Sequence, residues 1–399
     1  MADLDARELT DAELDEFPAV FGAAFLQDTD DEIERWRPLV DHIRPIGVCD
    51  GSELIGVAGH YDEAIALPGG VVRPVAAVTT VGVKPGHRRR GAATALMRRQ
   101  LDGLRAAGVP LAALHASEGA IYGRYGYGPA STSNHLEIPR GARFRPGAEI
   151  DEQPVRELPL ERARAEFQRQ HARIFPHRAG WLARDGDAWE ARERMRRSAG
   201  NRPDRFALHP QGHVVYRGKP DWTGRGPNYE LEIVALAAET PQAYAALWRY
   251  LLDFDLAAEV VWPKAAADEP IVHLLADPRA ARQQHFDGLW LRLIDVAAAL
   301  PARGYAAEAD VVLEVSDDFC PWNAGRWRLR TAPEVAVSRT ESPAQLTLDV
   351  ADLAAAYLGG TTLTSLAAAG RVREHEAGAL AAASRAFATD RPPNCPDAF

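Results

Sequence analysis

Apolar positions along this chain recur first at helical spacing, then in strand-length runs, and the order of these patterns changes character twice. Thr10-Asp11-Ala12-Glu13 is a capping box, and Leu14, Phe17, Phe21, Ala24 and Phe25 follow it at helical spacing. A strand at Ile46–Cys49 turns through Asp50-Gly51-Ser52 into a second at Leu54–His60, a hairpin signal. Val71–Val83 reads as a long strand bent near Pro74, ending in the β-branched run Val78-Thr79-Thr80-Val81-Gly82-Val83. Pro85-Gly86 breaks the run, and Ala92 to Ala107 reads as a helix with Leu96, Met97, Leu101 and Leu104 on one face. A strand at Pro110–Ala116, a short helical or looped piece at Ser117–Tyr125 and a strand at Ser133–Ile138 complete this unit.

Arg140 to Gln153, rich in Arg, Pro and Gly, reads as a linker. Helices are expected at about Glu161–Phe175 and Asp187–Arg196, then strands at Phe206–His209, His213–Tyr216 and Tyr229–Leu236. A helix follows from Thr240 through Leu247, Trp248, Leu251 and Phe254. This repeats the order of the first unit without its arginine- and glycine-bearing turn, as a degenerate second copy. From Gly288-Leu289-Trp290-Leu291 the character changes again. A short helix at Asp295–Ala302 precedes alternating strands at Asp310–Val315 and Arg326–Arg330, and Leu346–Leu348 leads into Val350–Tyr357. Arg373–Ala388 reads as an alanine-rich helix, and Thr389 to Phe399, with prolines at 392, 393 and 396, as an extended arm.

At 399 residues the chain calls for two or three domains. Apolar content of 46% with 26% charged residues is that of a soluble globular protein, and no run approaches the length of a membrane span. Cys49, Cys320 and Cys395 are scattered and odd in number, which fits a reducing cytoplasm without structural zinc or another metal. The N-terminus has no apolar signal region. The acidic run Asp28, Asp30, Asp31 and Glu32 is either a lure for cationic amines or a solvated loop.

The chemistry concentrates at Arg88-Arg89-Arg90-Gly91-Ala92-Ala93, where a strand hands over to a helix. Small residues at a helix N-terminus leave backbone N–H groups and the positive dipole end free for an anion, and three arginines stand at the same mouth. A diphosphate fits; nucleic acid does not, because a net charge of −10 opposes polyanion binding. Arg-x-x-Gly-x-Ala after a V-x-V strand resembles the acyl-CoA signature of the GCN5-related N-acetyltransferases (GNAT). Two further segments narrow the likeness: the run from Ala113 to Gly128 containing Ser117-Glu118-Gly119-Ala120-Ile121-Tyr122-Gly123-Arg124-Tyr125-Gly126-Tyr127-Gly128, and Asp287-Gly288-Leu289-Trp290-Leu291-Arg292. With these the whole chain resembles the enhanced intracellular survival (Eis) family of N-acetyltransferases.

That resemblance implies an α/β (α+β) fold: tandem GNAT-like domains, then a domain like sterol carrier protein 2. The expected divisions are 1–145, 146–290 and 291–399. It implies a homohexamer that uses acetyl-CoA to acetylate small-molecule or peptide amines, aminoglycosides and lysine side chains among them. Residue by residue, Val81, Gly82 and Val83 would line the pantetheine; Arg89, Arg90, Gly91, Ala92, Ala93 and Thr94 would hold the pyrophosphate; and Ser117 and Glu118 would line the cleft. Tyr122 takes the family's general-acid position and the terminal carboxylate of Phe399 its general base, while Phe25 and Trp36 match aromatic positions of the substrate pocket. Ala398 stands where an acidic residue can occur in the family.

These residue types suit acetyl transfer. A tyrosine of reference pKa about 10 keeps a proton at neutral pH for a departing thiolate whose acid titrates near about 8.5, and a buried carboxylate gains basicity. The plainer alternatives are a packed aromatic at Tyr122, a frayed terminus at Phe399, and purely structural roles for Tyr125 and Tyr127. His115 is either a donor-orienting group or a satisfied core histidine. Glu374-His375-Glu376 reads as a solvated helix face rather than a metal cluster. Two other classes remain: an inactive lipid-binding or scaffold protein using its last domain, and a doubled myristoyl-type acyltransferase.

Overall fold

The computed structural model describes residues 4, 6–26, 40–184, 186, 190, 202–224 and 226–399. Trp36, the acidic run 28–32 and nearly all of the expected helix 187–196 lie outside the described residues.

The first sheet gathers β1 (Ala6–Glu8), β2 (Ile46–Asp50), β3 (Glu53–Leu67), β4 (Val71–Val83), β5 (Leu111–His115) and β6 (Gly128–Pro129). Its order is β1-β2-β3-β4-β5-β16-β6, where β16 is Leu289–Leu293, far downstream in the chain. Alternation along the strands sends Ala76 and Val78 to one face, under the helix Ala92–Ala106, and Ala77 to the other, under the helix Asp11–Phe25. Leu96, Met97, Leu101 and Leu104 are buried on the first face, as their spacing predicts. The capping box at Thr10 and Glu13 is formed.

The second sheet holds β7 (Thr132–Pro139), β8 (Arg156–Leu158), β9 (Arg205–His209), β10 (Gly212–Lys219), β13 (Tyr229–Ala238), β14 (Ala257–Ala266) and β15 (Arg282–Asp287). A two-residue pair, β11 (Trp222–Thr223) with β12 (Gly226–Pro227), stands apart. The order β15-β7-β14-β13-β10-β9-β8 places β7 in the slot that β16 fills in the first sheet. The two sheets therefore exchange a strand. The strand expected to finish the first unit, Ser133–Ile138, instead pairs with β14 and β15. Where the crossing chains meet, the N–H of Gly288 donates to the carbonyl of Ser131 (2.9 Å) and that of Leu289 to the Ser131 hydroxyl (2.8 Å). The stretch 140–153 is not a free tether: Arg140 donates to the carbonyl of Ala258 and Arg145 to that of Leu274, so it runs pinned along the second unit.

The third sheet, β19-β18-β17-β20-β21, comprises β17 (Asp310–Ser316), β18 (Gly325–Arg330), β19 (Ala336–Arg339), β20 (Leu346–Asp349) and β21 (Val372–Glu374). Part of the expected helix 373–388 is thus a strand: Arg373 and Glu374 pair with β20, and the helix spans only Ala379–Phe387. Glu374 caps that helix from outside, accepting from the N–H groups of Gly378 and Leu380 (both 2.9 Å), while His375 bonds Thr347 (2.8 Å). A fully buried pair, Arg292 of β16 with Asp317 (2.7 Å), ties the first sheet to this third unit. Asp317 is further held by the N–H of Cys320 and the side chain of Asn323 (2.8 and 3.0 Å), which is what makes a buried charge tolerable.

Candidate active site

β4 and β5 are parallel neighbours for only two residue pairs, Ala76 with Ala112 and Ala77 with Ala113. Beyond them β4 runs on to Val83 and the strands part, opening the sheet between its two faces. Opposite the single residue Ala58 of β3, β4 carries two, Thr80 and Val81, with Thr80 at φ 55°, and this bulge bends this end of β4. The edge Val81-Gly82-Val83 lines the gap. Across from it lies the end of the helix Asp11–Phe25: a Cβ on Gly82 would come within 2.9 Å of the Ala24 Cβ and 3.7 Å of the Phe25 ring. Phe25 is 40% exposed, with its ring centroid 4.6 Å from that of Phe21, so it borders the opening.

Beneath the gap, the loop after β4 enters the helix Ala92–Ala106. Arg89 (φ 64°) and Gly91 (φ 99°) are both left-handed, which turns successive N–H groups toward one concave side. Gly91 is the N-cap and no side chain caps the helix, so its first-turn donors at Ala92, Ala93 and Thr94 are left for an incoming anion. The three arginines divide their work. Arg88 donates to the carbonyl of Ala24 (2.9 Å) and braces the loop, Arg90 stands 3.7 Å from Asp50, and Arg89 is exposed without an ion pair among the described residues. A CoA-type pyrophosphate fits this cradle. No group of His, Cys, Asp and Glu among the described residues has metal-ligating geometry, and no helix among them is long and apolar enough to cross a membrane.

The motif after β5 folds back over the gap. Ser117 and Glu118 are exposed at its rim, and Glu118 starts the single turn Gly119–Tyr122. Tyr122 is buried on the face of the helix Ala92–Ala106, edge-on to Tyr127 at 6.0 Å. Burial raises its pKa; a hydrogen bond with the Ser117 side chain works against that rise. Tyr122 therefore holds its proton at neutral pH. Tyr125 packs on Phe319 of the third unit (5.0 Å), and its hydroxyl lies 3.4 Å from that of Thr94. Tyr127 is fully buried, a packing role.

The C-terminal arm is docked, not frayed. Asn394 donates from its N–H to the carbonyl of Ala179 (3.0 Å), and Cys395 is fully buried. The Asp397 carboxylate accepts from Arg184 (2.9 Å), and the Asp397 carbonyl accepts from His115 Nε2 (2.8 Å). The Phe399 ring then sits 5.0 Å from the His115 ring and packs into the cluster under the helix Asp11–Phe25. Tyr122 and Phe399 thus lie on opposite faces of the first sheet, and the gap between β4 and β5 joins those faces. His115 is kept neutral: burial, then the positive charge of Lys264, pushes its pKa down to about 3. Burial likewise lowers Lys264. Arg184 and Lys264 come from the second unit and had no local sequence signal; only the folded arm reveals them. A cavity of about 640 Å³ under the other end of the helix Ala92–Ala106, walled by Arg44, His60 and Gln100 among others, includes none of these groups.

Comparison with known proteins matches the three units of the fold. Residues 5–130 and 180–293 each match an acetyltransferase (GNAT) domain family, and 296–396 match the sterol carrier protein domain. An uncharacterised N-acetyltransferase of Streptomyces avermitilis is 41% identical over 389 residues, 92% of each chain. N-acetyltransferase Eis of Mycobacterium bovis is 37% identical over 397 residues, 95% of this chain and 96% of its own. The crystal structure of Eis1 from Mycobacterium abscessus superposes with a TM-score of 0.88 at 35% identity, covering 99% of this chain and all of the other.

Proposed function

Because the chain belongs to the Eis family of GNAT N-acetyltransferases, we propose that it acetylates amines of aminoglycosides, polyamines or lysine-like acceptors, with Tyr122 as general acid and the Phe399 carboxylate as general base. The observation that carries this reading is the docked arm, which sets the last residue of the chain against His115 at the parted strands. Acetyl-CoA supplies an activated thioester carbonyl, gripped on this reading by Val81 to Val83, by Arg89 through Thr94 and by Ser117 and Glu118. The amine nitrogen attacks that carbon directly from the arm's side, and the C–S bond breaks. Tyr122 gives its proton to the leaving sulfur, while the terminal carboxylate takes the proton shed by the amine nitrogen. Solvent returns both groups to their starting states. No covalent acetyl-enzyme is required.

Phe25 borders the acceptor side of the opening, which supports its place in the substrate pocket. The test is thiol release from acetyl-CoA across aminoglycosides, polyamines and lysine peptides, for the parent and two variants. Tyr122→Phe and a single glycine appended after Phe399 are each expected to cut kcat by about a hundredfold, the usual scale of acid–base assistance. Turnover unchanged in either variant removes that residue from the mechanism.

A further inference from the structure

Of the three arginines at the turn, one commits its charge away from the cradle. Arg89 is exposed, and Arg90 stands 3.7 Å from Asp50. Arg88 instead reaches 64 residues back along the chain and donates to the carbonyl of Ala24 (2.9 Å). Ala24 lies in the last turn of the helix Asp11–Phe25, the element that brings Phe25 to the acceptor side of the opening.

A contact between two segments steadies whichever of them is less fixed by other means. The turn is fixed independently, on the β2–β3 hairpin. Lys84 donates its N–H to the carbonyl of Ile55 (2.9 Å) and its side chain to Glu53 (2.8 Å). The N–H of His87 donates back to the Lys84 carbonyl (2.9 Å), and the His87 ring lies 3.7 Å from both Asp50 and Glu53. The helix end has less support. Pro18 brings no N–H and interrupts the hydrogen-bond ladder, so the stretch up to Phe25 is a short piece by itself. Its last turn carries no cation of its own to meet the negative end of the helix dipole. The chain leaves through Leu26 in the left-handed region (φ 57°), a position that glycine usually takes. Phe17, Val20 and Phe21 are buried, whereas Phe25 is 40% and Leu26 89% exposed. Packing thus secures the middle of the helix, and Arg88 secures its end. Gly82 closes on the same residue from the strand edge, where a Cβ would come within 2.9 Å of the Ala24 Cβ.

We propose that Arg88 is a positioning residue for the acceptor and not a ligand of the diphosphate. By holding the Ala24 carbonyl it sets Phe25 at the wall where the amine enters. The proposal rests on the acetyl-CoA and amine reading of this cleft, and it divides one arginine-rich motif between two tasks: the turn from Arg89 onward serves the cofactor, and Arg88 serves the opposite wall.

Steady-state kinetics with the best amine of the panel test this in Arg88→Ala and Arg88→Lys. Arg88→Ala is expected to raise KM for the amine about three- to tenfold, the scale of one lost hydrogen bond from an exposed charged donor, and to leave KM for acetyl-CoA within about twofold. Arg88→Lys keeps a charged donor, and a single carbonyl needs no fork, so it should recover most of the loss. Hydrogen exchange of the full chain without substrates reads the brace directly. The amides of the last turn, Gly22 to Leu26, should exchange about three- to tenfold faster in Arg88→Ala and near the parent rate in Arg88→Lys. The proposal is overturned if KM for acetyl-CoA rises as much as KM for the amine, which would make Arg88 a diphosphate ligand. It is equally overturned if neither KM moves or if the last turn exchanges as in the parent. Should no amine turn over even in the parent, the functional reading fails, and exchange in the last turn alone still decides the brace.

Discussion

Replacing Asp397 by Asn probes the arm with the least change of shape. In the folded chain Arg184 Nε meets Asp397 Oδ1 at 2.9 Å, with the two side chains only 7% and 12% exposed. The amide of Asn still accepts from Arg184, so packing survives while the charge is lost and a buried guanidinium goes unpaired. A hydrogen bond between charged groups in such a site contributes about 2–3 kcal/mol, and breaking a buried pair outright costs more. Opening of the arm should therefore become about 30- to 150-fold more frequent, since about 1.4 kcal/mol is a factor of ten. The reporter is the Asn394 amide, bonded to the Ala179 carbonyl in the docked arm, whose hydrogen exchange tracks local opening. Turnover should fall, while KM for acetyl-CoA holds, because the arm is anchored on Ala179, Arg184, Ala265 and His115 rather than on the turn assigned to the cofactor. An Asn394 exchange rate within about threefold of the parent would refute the energetic argument. Faster exchange with undiminished turnover would instead sink the terminal carboxylate as base.

Two further outcomes follow from packing and from charge. A Cβ on Gly128 would lie 1.9 Å from the Ala351 carbonyl and 2.7 Å from the Ala355 nitrogen, both on the helix Val350–Tyr357, so neither neighbour can swing aside. Gly128→Ala should destabilise the junction of the first sheet with the third unit by about 3 kcal/mol or more, read as a lowered thermal midpoint; a midpoint within a degree or so of the parent contradicts it. Acid should also loosen the fold, because His115 and His171 are each held down to about 3, chiefly by burial. Unfolded, they titrate near about 6.5, so between that pH and about 3 the unfolded chain binds more protons and stability falls as pH falls. The full shift is worth up to about 4–5 kcal/mol per histidine, all of it present above about pH 6.5. Thermal midpoints that stay flat from pH 7.5 to 4.5 would count against it.

Local pattern carried much of this fold and little of its wiring. The helix Ala92–Ala106 and the hairpin from Ile46 were legible because their apolar spacing and turn residues are contained within a few neighbours. The left-handed turn into the helix Ala92–Ala106, the cradle proposed for a pyrophosphate, was legible as a turn for the same reason, since small residues after a strand mark it. Ser133–Ile138 shows alternation that predicts a strand, but alternation does not say which sheet receives it, so the exchange with β16 is set by pairing between distant segments and not by local pattern. Arg373–Ala388 looks helical because alanine dominates, yet pairing of Val372–Glu374 with β20 outweighs that propensity. The arm's partners Arg184 and His115 stand 213 and 282 residues away from Asp397, beyond the reach of any spacing rule.

The degenerate second unit makes physical sense once these long-range contacts are considered together. A terminal segment of eleven residues with three prolines has few internal hydrogen bonds and no core of its own. Something else must supply the order that a positioned carboxylate needs. The second unit does so with Ala179, Arg184, Lys264 and Ala265, each in contact or electrostatic reach of residues 394–397. The first unit closes the arrangement through His115. Strand exchange keeps the two units from drifting apart, since separating them would strip β7 from β14 and β16 from β5. On the proposed mechanism, a domain that has lost its own diphosphate cradle still shapes acetyl transfer, by fixing the far end of the chain over its neighbour's cleft. Disturbing that scaffold should then lower kcat while leaving KM for acetyl-CoA near its parent value, whereas disturbing the cradle at Arg89 to Thr94 should do the reverse.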